Sequence, residues 1–79
     1  MERNEEIKNS KELEFAVFCI ENIAEKLGID PERVYTALTK KSNILNSYII
    51  PEYEILHTQS KDYIVNDILE LAKEQGVEI

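Results

Sequence analysis

The sequence has few of the residues that build the common chemical sites. Its 79 residues include one cysteine, one histidine and no tryptophan. Because Cys19 is alone, the chain cannot form an internal disulfide, and this excludes a small secreted domain held together by disulfides. The thiol lies between Phe18 and Ile20, so we expect it to act as a small core hydrophobe and not as a nucleophile with His57 as its base.

Long apolar runs and flexible linkers are also missing. The longest fully apolar stretch is the six residues 15–20, far below the about 20 that a membrane helix needs. The first residues are polar and acidic, so we expect no signal peptide and a cytoplasmic location. With only two glycines and two prolines, the chain predicts a single helical domain over residues 10–79, preceded by a flexible tail at 1–9.

Acidic residues dominate what is present. Sixteen acidic and nine basic residues give a net charge of −7. Such a surface repels the phosphate backbone of nucleic acids and favours a basic partner. An equally good interpretation is that the charge only keeps a small protein soluble.

Helical periodicity is clear in the first half of the chain. Ala16, Ile20, Ile23 and Leu27 recur on one helical stripe, and Gly28 is placed to end that helix in the left-handed conformation. Apolar residues at 15 and at 17–19 widen the stripe around the middle turn. A helix of this kind is typically central and contacted from more than one side.

A second helix follows after a tight turn. Asp30 is a good N-cap and Pro31 fits the first helical position. Lys40 and Lys41 mark the expected end of this helix, since their charge suits the C-terminal end of the helix dipole. The spacing of the two helices resembles the helix-turn-helix pair of DNA-binding proteins.

The second half of the chain predicts shorter elements and one longer helix. Ser42 or Asn43 caps a short element, and Ile50 is expected to be extended because it precedes proline. Pro51 opens a second short helix, and Ser60 caps the last helix. A strand over 48–50 is rejected because a lone strand has no partner.

The predicted fold class is therefore all-α. We expect a small single-domain bundle of three main helices plus one or two short helices, including the angled pair that resembles a helix-turn-helix.

No residue pattern predicts catalysis, a cofactor or a metal. Glu54 and His57 have the spacing found in di-iron helix bundles, but those sites need two such pairs and two further carboxylates. The chain is therefore not expected to be an enzyme.

Three residues of the middle segment are candidates for a partner interface: Tyr48, Ile50 and Tyr53. Tyrosine joins a large apolar body to a polar tip, so it suits both interfaces and the edge of a small core. Both interpretations remain open at this stage, whereas Ile49 is assigned to the core.

Several segments together resemble a known family. These are residues 15–21, 34–35, 48–50, 53–58 and 63–68. They resemble the bacterial family catalogued as domain of unknown function 3791, and their most specific part is Leu-His-Thr followed by Ile-Val-x-Asp-Ile. The resemblance implies a small intracellular helical protein. It also implies a gene neighbour encoding an ADP-ribosyltransferase-like protein, an arrangement similar to that of toxins and antitoxins.

His57, Thr58 and Asp67 match the polar motif positions of that family. We interpret them as structural, with His57 and Thr58 satisfying backbone groups between two helices and Asp67 facing them from the last helix.

The predicted function is an acidic protein–protein interaction module, an antitoxin-like partner of an ADP-ribosyltransferase-like protein. We expect a basic or enzyme partner encoded nearby, no nucleic acid and no membrane, and the sequence leaves homo-oligomers open. The alternative is a small helix-turn-helix DNA-binding regulator, for which Asp30 and Glu32 carry the wrong charge. A nucleic-acid mimic is a third interpretation, but the acidic residues are scattered over several helices.

Overall fold

A computed structural model describes residues 10–79, so the predicted tail at 1–9 lies outside the described residues. Over the described range the chain forms helices and no strand, which confirms the all-α prediction. The elements are α1 (Ser10–Leu27), α2 (Pro31–Thr39), a π-helical segment (Leu45–Ile49), α3 (Tyr53–Leu56) and α4 (Lys61–Glu74).

Glycines end both long helices, which confirms the prediction for Gly28. Gly28 has a φ of 68°, and its N–H donates to the Glu25 carbonyl at 3.3 Å while the Ile29 N–H donates to the Ala24 carbonyl at 3.0 Å. This paired arrangement satisfies the last carbonyls of α1. At the end of α4, Gly76 adopts the same conformation with a φ of 72°.

The predicted N-caps of α2 and α4 are also confirmed, whereas the N-cap residue of the π-helical segment is Ile44, which forms no side-chain cap hydrogen bond, and not Ser42 or Asn43 as predicted. The Asp30 carboxylate accepts from the Glu32 N–H at 2.9 Å, and Pro31 is the first residue of α2. The Ser60 hydroxyl accepts from the Tyr63 N–H at 3.1 Å at the start of α4. Each cap satisfies a backbone donor that the first helical turn leaves without a partner.

The backbone at Ile50 differs from the prediction. We expected an extended conformation before Pro51, but Ile50 has φ −67° and ψ −49°, which is right-handed helical. Its N–H donates to the Leu45 carbonyl at 3.0 Å, and its side chain is buried. This hydrogen bond and this burial outweigh the steric preference that a following proline imposes.

The core draws on all five segments, and α1 packs against both α2 and α4. The described residues include no buried polar or charged residue. The largest fully enclosed side chains are those of Cys19, Ile23, Val34, Leu38, Ile44, Ile49, Ile64 and Ile68.

The neighbouring helices bury a smaller part of the surface of α1 than its sequence predicts. Leu27 was assigned to the inner stripe, yet it is exposed, and so are Val17 and Phe18. The packed helices cover the side of α1 that carries Cys19 and Ile23. The other side has no helix of the described chain over it.

Replacement of Gly28 tests the helix end. A Cβ added at Gly28 would meet no atom within 4 Å, so Gly28→Ala should cost only the strain of the left-handed backbone, about 1–2 kcal/mol. Gly28→Asn should cost less, because asparagine tolerates this conformation. Urea unfolding followed by circular dichroism measures both, and an alanine variant as stable as the asparagine variant would contradict this account.

Candidate protein-binding surface

Three large apolar side chains in the first half of α1 are exposed, and so is Leu27 at the end of this helix. Leu13 is 47% exposed, Val17 44% and Phe18 38%. Single exposed apolar residues are ordinary, but a group of them on one helix of a small domain is typical of an interaction site. We call Leu13 and Val17, which are four residues apart and adjacent on the helix, the apolar strip.

Four rings form a row that joins α1 to the end of α3. The Phe18 and Phe15 rings are nearly parallel with centroids 6.2 Å apart. Phe15 meets Tyr53 edge to face at 5.4 Å, and Tyr53 stacks on His57 at 4.6 Å. We call these four residues the aromatic row. It leaves Phe18 and His57 exposed at its two ends.

An open cleft lies beside the aromatic row. Its lining includes Lys11 and Glu14 from α1 together with Phe15, Tyr53 and His57. An aromatic wall with charged groups at its edge resembles the buried centre and polar rim of protein interfaces.

The three predicted interface residues lie in different surroundings. Tyr53 is half-buried within the aromatic row, whereas Ile50 is only 8% exposed and packs in the core. Tyr48 is half-buried and points to α4, where its hydroxyl donates to the Asp67 carboxylate. Only Tyr53 therefore joins the exposed aromatic surface.

The hydrogen bond between Tyr48 and Asp67 holds the π-helical segment against α4. It raises the pKa of Tyr48 to about 12, first because the hydrogen bond favours the protonated phenol, and then through burial and the negative charges of Asp67 and Glu52. Tyr48 thus remains neutral and serves the fold.

The residues of the predicted polar motif take part in separate contacts. The Thr58 hydroxyl donates to the Ile55 carbonyl at 2.7 Å within its own turn. His57 stacks on Tyr53, and Asp67 accepts from Tyr48. Thr58 thus satisfies a carbonyl of its own turn and not a backbone group between two helices, and the hydrogen bond that Asp67 accepts comes from Tyr48.

Cys19 is enclosed in the core. It has no exposed surface, and burial raises the pKa of its thiol to about 12. A thiol that stays protonated at neutral pH is a poor nucleophile.

Two further findings concern residues 10–79. No cluster of three or more histidine, cysteine, aspartate or glutamate side chains there has an arrangement that would hold a metal ion. No helix in the same range has the length and apolar character to cross a membrane.

Sequence reasoning missed the outward apolar side chains. The signal was present in the helical spacing. Viewed down the axis of α1, Glu14, Glu21 and Glu25 lie between the directions in which Val17 and Phe18 point. Charged residues at those positions mark an exposed side, and Phe18 lies beyond them, apart from the main apolar stripe.

The structure thus defines a small all-helical protein with an aromatic row whose two ends, Phe18 and His57, are exposed. The chain belongs to the family described as Protein of unknown function (DUF3791), whose model matches residues 14–75. This match confirms the resemblance noted in the sequence. No curated protein and no solved structure matches the chain.

The contact between Tyr48 and Asp67 predicts a pH-dependent stability. The folded-state pKa of Tyr48 is raised from 10.0 to about 12, so its contribution to stability is complete below pH 10 and is lost as pH rises toward 12. Tyr48→Phe should reduce the free energy of unfolding by about 1 kcal/mol at pH 8. Between pH 10 and 12, the free energy of unfolding of the Tyr48→Phe variant should also fall less than that of the wild type.

Urea unfolding at pH 8 and at higher pH measures both effects, and Tyr35→Phe is the control because Tyr35 is exposed on α2. The raised pKa of the enclosed Cys19 thiol also lowers the free energy of unfolding as pH rises through this range. This effect is the same in the wild type and in both variants. An identical pH dependence for Tyr48→Phe and the control would contradict the assignment.

Proposed function

We propose that this protein is an acidic interaction module that binds another protein through the outer side of α1 and the aromatic row. The observation that carries the proposal is the group of exposed apolar side chains on α1, with Leu13 and Val17 on one side of its acidic residues and Phe18 on the other, where Phe18 begins the aromatic row that ends at the exposed His57. Burying this surface in a complex removes it from water, and aromatic side chains supply much of the energy at such sites.

The position of α1 favours tight binding. Its inner side is fixed in the core by Cys19 and Ile23, which are completely buried. A helix that is already ordered loses little conformational entropy when a partner binds to its outer side. The surface is therefore preorganised.

The partner we propose is a protein, and the family resemblance points to an ADP-ribosyltransferase-like enzyme encoded nearby that this chain would restrain as an antitoxin does. The chain would act in the cytoplasm by binding and not by catalysis. Its single cysteine is enclosed and protonated, which supports that interpretation.

A helix-turn-helix DNA regulator is the alternative, and one observation favours it. The tight glycine turn after α1 and the Asp30 cap at the start of α2 support it, because the motif joins two helices through a short turn, within a proposed bundle of three main helices. However, the exposed Asp30 and Glu32 at the start of α2 would meet DNA with the wrong charge.

Affinity capture from the native host tests the proposal. The tagged chain should recover a defined partner, with the ADP-ribosyltransferase-like protein as the first to assay in purified form. Val17→Gln combined with Phe18→Gln should reduce recovery at least about tenfold, since two apolar contacts of about 1 kcal/mol each are removed. Glutamine is a good helix former, so α1 should remain intact.

Tyr35→Gln is the matched control because Tyr35 is an exposed aromatic residue on α2. Equal recovery by the wild type, the double variant and the control would contradict binding through α1. Low-salt gel shifts with genomic DNA fragments would support the alternative if they showed a complex.

A further inference from the structure

The outer side of α1 carries charge in a fixed order. Glu14, Glu21 and Glu25 are all exposed. Their spacing of seven and then four residues places them on one line along the helix. We call these three residues the acidic row.

Apolar side chains border the acidic row on both sides. With about 100° between successive residues, the row falls between Val17 and Phe18, and Leu13 lies next to Val17. Both lysines of α1, Lys11 and Lys26, lie beyond Phe18. Glu14 shares a cleft with Lys11, and Glu25 shares one with Lys26 and with Lys61 of α4. On the side of the apolar strip, the row has no cation of its own helix beside it.

We infer that a cationic amphipathic helix of the partner protein lies along α1. This inference rests on the proposed function and adds the chemistry of the partner. The apolar side chains of the partner helix cover Leu13 and Val17, and its lysines or arginines lie over the acidic row. Phe18 contacts the aliphatic stems or guanidinium groups of those cations at the far edge.

The shape of the surface favours a helix over an extended peptide. The acidic row extends from Glu14 to Glu25, a rise of roughly 16 Å along α1, with the spacing that a second helix repeats on its own contact side. An extended peptide binds by adding a strand to a sheet edge, and the described residues contain no strand.

The negative charge of the acidic row favours a basic partner helix over a second copy of this chain. A second copy of this chain would bring one acidic row against another in a protein whose net charge is already −7, and like charges in contact oppose association. A basic helix gains instead from each carboxylate it covers. The complementary partner is therefore cationic.

Synthetic peptides test this directly on the full chain. One helical peptide of about 14 residues, matched to the length of the row, is built from leucine and lysine, and a second has glutamate in place of lysine. Fluorescence anisotropy should show binding of the lysine peptide and none of the glutamate peptide. The affinity should fall as salt is raised, because the paired charges are near the surface.

Two triple variants separate position from net charge. One replaces all three glutamates of the acidic row by glutamine, and the other carries E32Q, E70Q and E74Q at exposed positions on α2 and α4. Each removes three negative charges and keeps the side-chain size and helix propensity. The row variant should bind the lysine peptide about tenfold more weakly, and the control should stay within about twofold of the wild type.

Circular dichroism confirms that both variants are folded before binding is compared. Equal weakening in the two variants would mean that the peptide senses only net charge, and this would overturn the inference. Failure of the lysine peptide to bind the wild type would overturn it as well.

The host capture experiment distinguishes this inference from the proposed function. If recovery depends on Val17 and Phe18 but is undiminished in the row variant, the interaction module stands and the cationic helix is wrong. If recovery depends on neither, both are wrong.

Discussion

Burial of the inner side of α1 is the constraint on which the rest of the structure depends. Cys19 and Ile23 have no exposed surface, and the side chains that enclose the core come from α2, the π-helical segment and α4 as well. Complete burial of an aliphatic side chain such as that of Ile23 contributes about 1.5–3 kcal/mol. A chain of this size buries only about 60–65% of its unfolded surface, so no second core can replace these contacts.

This burial gives α1 one side that is packed in the core and one side that is exposed. Phe15 belongs to the core cluster and also contacts Phe18 and Tyr53 in the aromatic row. A single residue thus joins the buried side of the helix to the proposed binding surface. The hydrogen bond of Tyr48 to Asp67 holds the π-helical segment against α4. The functional proposal therefore depends on packing that the fold already requires.

Local signals in the sequence were sufficient for the helix ends, because Gly28 and Ser60 act on backbone groups within a few residues of themselves. They were insufficient where distant contacts decide the outcome. The helical conformation of Ile50 depends on a buried site that a rule about the next residue does not see. The contact of Phe15 with Tyr53 joins residues far apart in the chain. Periodicity shows that α1 has a wide apolar arc, but not how many helices cover it.

Native-state hydrogen exchange of the full chain, measured by NMR, tests the central role of α1 most directly. If the inner side of α1 anchors the fold, the amides from Cys19 to Ala24 exchange only when the whole molecule unfolds. Their opening free energies then equal the global free energy of unfolding and match those of the most protected amides in α4. Exchange of the α1 amides through local opening, with α4 still protected, would contradict this account.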